Sequence, residues 1–144
     1  MARPLLYSVL LGAAVATAAR AQNPYQAAPA GGKPADIAGT WDGKTMVGPK
    51  DSVITTWTLV IGAGGKSFTL TFPNRAPVAG RVLASGGDSV VWEAGPYPSI
   101  TRPGQMVTIH SIAHFKDDHM TAVTDGKFSS GDVLHAKAEA TRRK

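Results

Sequence analysis

Cysteine is absent from all 144 residues. That excludes disulfides, thiolate metal sites, a cysteine nucleophile and any lipid carried on a thiol. A strong charge of one sign is also missing. The chain has 15 basic against 10 acidic side chains, a net +5, and the basic ones are scattered except for Arg142-Arg143-Lys144. This is too mild and dispersed for a nucleic-acid footprint. Long apolar runs are lacking too. The one strongly apolar stretch, Leu5 to Ala16, is interrupted soon after by Arg20 and falls short of the roughly 20 residues that cross a bilayer. No sustained amphipathic helix is present. Aromatics are few, with three Trp, three Tyr and four Phe, so their positions carry weight.

What is present starts with a leader. Arg3 supplies a positive start, Leu5 to Ala16 an apolar run, and Ala19-Arg20-Ala21 a small-residue cleavage site. Residues 1–21 therefore read as a cleavable secretory signal peptide, which implies a periplasmic or secreted protein. Its removal leaves 13 basic against 10 acidic side chains, a net +3, and no stable membrane insertion is expected. Residues 22–36 hold three prolines and two glycines with almost nothing large to bury, and read as a disordered linker. The remaining 37–144 form one domain, long enough to stand on its core without staples.

That domain is a series of short β-branched and aromatic runs separated by Gly, Pro and Asp. Eight runs are expected, at about 39–47, 53–61, 66–72, 77–84, 89–94, 105–116, 119–128 and 133–141. Gly95-Pro96-Tyr97-Pro98 ends the fifth, because two close prolines forbid an interior strand. The last run contains helix formers, but Leu134, Ala136, Ala138 and Ala140 alternate with His135, Lys137, Glu139 and Thr141. Period two makes it a strand. The expected fold is all-β, an eight-stranded antiparallel up-and-down barrel whose closure removes exposed edges. A β-sandwich is the alternative.

Gly39-Thr40-Trp41 on the first strand, with Arg142 or Arg143 just past the last, resembles the calycins, the lipocalin and avidin-type barrels. The resemblance implies that Trp41 closes one barrel end under a basic side chain, a cation over an aromatic face. The C-terminal helix and second motif of lipocalins are missing and the strands are short, which argues against a lipocalin-sized cavity. The GTW, GPKDS and EAGPYPS stretches are also similar to those of uncharacterised exported bacterial proteins. That likeness implies location rather than activity.

No catalytic, metal or cofactor motif emerges. Gly62-Ala63-Gly64-Gly65-Lys66-Ser67 ends like a phosphate loop, but Val60 stands where the motif needs glycine and a strand follows instead of a helix. His110 and His114 stand about 13 Å apart along one strand, too far to share a zinc. Glu93 lies in an apolar strand with no second acid placed beside it. An enzyme would need it to converge with a group such as His110 inside a pocket. A serine nucleophile has no framing motif.

The aromatics carry the functional reading. Alternation points Trp41, Phe68, Phe72, Trp92 and Phe115 inward, opposite Ala122, Ala136, Ala138 and Ala140. Rings fill the space that alanines leave, or they line a pocket. The 95–104 segment, the longest irregular stretch, places Tyr97 and Arg102 as a lid. The leading expectation is a barrel that binds a small apolar or aromatic ligand through Trp57, Phe72, Trp92, Tyr97, Arg102 and Phe115, with Trp41 and Arg142 structural. A non-enzymatic interaction or structural module of the envelope stands second, and a hydrolytic enzyme a distant third.

Overall fold

A computed structural model describes residues 37–144. The leader expected at 1–21 and the linker expected at 22–36 lie outside the described residues. Eight strands run in chain order: β1 Gly39–Val47, β2 Ser52–Ile61, β3 Ser67–Thr71, β4 Val78–Gly86, β5 Ser89–Pro98, β6 Met106–Lys116, β7 His119–Phe128 and β8 Val133–Arg142. Each pairs antiparallel with the next, and β8 returns to pair with β1, so the sheet closes as an up-and-down barrel. The β1–β8 ladder also disposes of the sandwich alternative.

Alternation dictates the strands. In β8, Ala136, Ala138 and Ala140 are buried while the intervening His135, Lys137, Glu139 and Thr141 are exposed. Its helix-forming residues are overridden because ladders from β7 and β1 flank it on both sides. Two-residue turns join β4 to β5 and β6 to β7. They are built on Gly87 and Asp117, both in the left-handed region that glycine and aspartate tolerate.

One expectation is corrected. β5 does not stop at Ala94 but continues to Pro98. The ladder to β6 skips from Ala94 to Tyr97, leaving Gly95 and Pro96 in a bulge. On the other side, pairing with β4 ends at Gly80 and Ala94, so residues 95–98 form a local edge. A proline is excluded from a two-sided ladder but tolerated at a bulge or an edge. Arg75, from the β3–β4 loop, takes over part of the vacant edge by donating to the Pro98 carbonyl at 2.7 Å.

The core is asymmetric. Trp41, Trp57, Phe68, Phe72 and Trp92 come from β1 to β5, whereas β7 and β8 contribute Ala122, Ala136, Ala138 and Ala140. Two large rings lie over cross-strand glycines: Trp57 opposite Gly43, and Phe68 opposite Gly80. A Cβ on either glycine would overlap the ring. Each buried Trp or Phe supports the fold strongly, since truncation to alanine in a core costs about 3–5 kcal/mol.

Candidate functional site

One end of the barrel is sealed. Trp41, fully buried at 0% exposure, donates its indole N–H to the Ile37 carbonyl at 3.0 Å. Phe115 meets it edge-on, with centroids 5.0 Å apart. The Arg142 guanidinium lies 4.5 Å from the Trp41 ring and also donates to the Ala38 carbonyl. A weakly hydrated, planar cation suits this place, because it can stack on a ring and satisfy a carbonyl together. Arg143 points elsewhere. It pairs with Asp42 on the outer face, and that hydrogen bond is the main cause holding the Asp42 carboxyl below its usual range.

Rings lead inward from this seal. Trp92 packs on Phe115 at 6.0 Å and Phe68 on Trp92 at 5.0 Å. Beyond them the lumen holds a cavity of about 100 Å³. Trp57, Leu59, Leu70 and Phe72 form part of its wall, facing Ala122, Gly126, Ala136 and Ala138. The indole N–H of Trp57 donates to Thr45 Oγ1 at 2.9 Å, which fixes the ring's orientation. Among the described residues, no Asp, Glu, Lys, Arg or His lines the cavity. The titratable lining group among the described residues is Tyr97, whose phenol is pushed up to about 12 by burial, with the Arg75 charge pulling the other way. The polar exceptions are hydroxyls, chiefly Ser111 and Thr124, which hydrogen-bond each other at 2.8 Å across β6 and β7.

The opposite end is covered by the β5–β6 loop, residues 99–105. Ser99, Ile100 and Thr101 reach the cavity, beside Tyr97 and Phe128. The loop is stapled to itself: Ser99 N–H donates to the Gln105 carbonyl at 2.8 Å, and Ser99 Oγ accepts from the backbone N–H of Thr101 and Arg102. Tyr97 stacks on Phe72 at 5.4 Å just beneath it.

Of the residues singled out from sequence, the structure brings Trp57, Phe72, Trp92 and Tyr97 to the cavity. It does not bring Arg102 or Phe115 there. Arg102 braces the lid from outside, paired with Asp132 at 2.8 Å and 4.2 Å over the Phe128 ring. Phe115 belongs to the seal with Trp41 and Arg142. Three residues escaped the sequence reading. Ser111 and Thr124 share the inward parity of Ala113 and Ala122, so alternation was a usable signal for them. Arg75 sits in a loop, where no periodicity marks it.

Glu93 and His110 do meet, with His110 Nε2 2.7 Å from Glu93 Oε2, but they meet on the outer face next to Arg81. They form part of a register row that continues through Asp125 to His135. Such a row is a ladder of polar and charged side chains on the outer face of the barrel.

Neither a family model, nor a curated protein, nor a solved structure matches this chain.

Proposed function

We propose that this chain is an exported β-barrel that binds one small apolar or aromatic molecule in its lumen, in the manner of the calycins. The observation that carries the reading is the uncharged cavity of about 100 Å³ between the Trp41 seal and the 99–105 lid. It is below the roughly 300–1,000 Å³ of sites for drug-sized molecules. An apolar cavity of about 150 Å³ takes benzene, so this lumen suits a single ring with slight movement of its walls. The calycin reading draws on the same geometry: a G-x-W start, a cation over the tryptophan and a ligand-sized lumen. Export rests on the leader, and an intact mass beginning at Gln22 in protein recovered outside the cytoplasm tests it. Retention of residues 1–21 there would overturn it.

Binding is tested by adding benzene to the protein and following side-chain methyl resonances by NMR. Ring-current shifts are expected at Met120, Ala122 and Ala138, which line the cavity, and not at the outward Val60 and Val123. Unchanged lumen methyls at the aqueous solubility limit of benzene would sink the reading.

A further inference from the structure

We propose that the lumen selects an uncharged single-ring molecule carrying one hydrogen-bond acceptor, and that this acceptor takes the spare proton of the Ser111–Thr124 pair. The proposal rests on the lumen-binding reading and narrows it to a ligand class.

Proton accounting comes first. Two hydroxyls carry two protons and can spend only one on each other. Ser111 and Thr124 are cross-strand partners with their oxygens 2.8 Å apart, and both face the cavity. The second proton finds no acceptor among the described residues. Ser111 is 2% exposed and Thr124 is half-buried, so the pair is largely shielded from bulk water. A buried donor left unmet is costly, and an acceptor delivered into the lumen removes that cost. Carbonyl, ether and nitrile groups all qualify, because each accepts without needing a proton of its own placed.

Charge narrows the class further. A carboxylate is also an acceptor, yet among the described residues nothing cationic lines the cavity to offset its loss of water. Arg75 and Arg102, which contact the lid end, are turned to the Pro98 carbonyl and to Asp132. Tyr97, the titratable lining group among the described residues, is a neutral phenol at pH 7 as any ordinary tyrosine is, so no charge on the described lining opposes or attracts the ligand. The ring requirement follows from volume and from the wall. The rings of Trp57, Phe72 and Trp92 line the cavity, the small Ala122, Ala136 and Ala138 leave the gap, and about 100 Å³ has no room for a long chain.

Four probes of graded chemistry test this: benzene, and three near-isosteres, α-methylstyrene, acetophenone and benzoate. Affinities are measured by calorimetry at pH 7 for the wild type and for the double variant Ser111→Ala/Thr124→Val. Replacing both partners by apolar groups of similar shape leaves no orphan, so the variant keeps its lumen. The expected result is an acetophenone affinity about fivefold to tenfold weaker in the variant, the size of one lost hydrogen bond. α-Methylstyrene should stay within about twofold on the same reasoning, since it makes no hydrogen bond to lose. Benzoate should bind the wild type at least about a hundredfold more weakly than acetophenone. A second readout needs no variant: the carbonyl infrared band of acetophenone bound to wild type should fall below its position in an apolar solvent. Equal losses for acetophenone and α-methylstyrene, an unshifted carbonyl band, or benzoate binding as tightly as acetophenone would each overturn the proposal. So would benzene entering while none of the three larger probes does. If benzene itself fails to enter, the lumen-binding reading falls and takes this inference with it.

Discussion

Tyr97 shows at a single residue what enclosure does. Its ring stacks on Phe72 and its phenol is pushed up to about 12, mainly through burial. An unperturbed tyrosine ionises near pH 10. The folded value lies above the unfolded one, so the fold favours the neutral phenol. Its contribution is complete below about pH 10, declines as the unfolded chain ionises, and is lost as pH rises through about 12. Two units correspond to about 3 kcal/mol. The chain has three tyrosines, so an absorbance titration should show a late phenolate step near pH 12 that Tyr97→Phe abolishes. The variant's stability should also fall less steeply between pH 10 and 12. A Tyr97 phenolate appearing near pH 10 would show that the lid does not exclude water. The inward parity of Trp41, Phe72 and Trp92 was legible in the sequence, because a half-buried strand must alternate. The partner of Arg102 was not. Asp132 lies on the β7–β8 turn, and which turns meet at a barrel end depends on register, which spacing does not reveal.

At the level of elements, strand limits were legible wherever turns interrupt alternation, as at Gly87 and Asp117. They failed at β5. The proline rule was applied as though Pro96 faced a ladder on both sides, whereas the bulge toward β6 and the end of the β4 ladder at Gly80 leave it facing none. The glycine–ring pairs carry a sharper consequence. Gly43 lies directly opposite Trp57, and a Cβ there overlaps the indole. Ring-over-glycine pairing fills the space a missing side chain leaves and fixes register. Gly43→Ala must push Trp57 from its place and break its hydrogen bond to Thr45, at a cost of about 1–3 kcal/mol for overpacking. Urea unfolding should report that loss, together with a changed near-ultraviolet dichroism from the indole. Trp57→Leu in the Gly43→Ala background should recover part of it, a coupling that independent sites would not show. A neutral Gly43→Ala with an unaltered indole signal would refute the close approach.

Over the whole molecule, among the described residues, seven of the eight ladders join neighbours along the chain, and the eighth, the β1–β8 seam, joins the first strand to the last. It ties residues more than 100 positions apart in sequence, as between Arg142 and Ala38 or Arg143 and Asp42. Closing so long a loop costs entropy that no disulfide offsets here. That a basic residue would cover Trp41, with Arg142 as the structural one, is what the calycin resemblance implied, and Arg142 does lie over the ring; the pairing of Arg143 with Asp42 was not legible. Nor was the cavity, since about 100 Å³ is the small remainder between large rings and the space alanines leave. The seam now separates the two arginines. Arg142 touches the buried Trp41 ring, the Ala38 carbonyl and the Asp118 carboxylate at once. Arg143 holds Asp42 in solvent, a pair lost only as pH falls through the lowered Asp42 value. Arg142→Ala should therefore lower stability by about 2 kcal/mol, the sum of a cation–ring contact and a charged hydrogen bond. That corresponds to a urea midpoint lower by about 1 M. Arg143→Ala at neutral pH should leave the midpoint close to wild type, as exposed pairs do. Equal midpoints for the two variants would mean that the seam is held by its backbone ladder alone, and that the cation over Trp41 is not what closes this barrel.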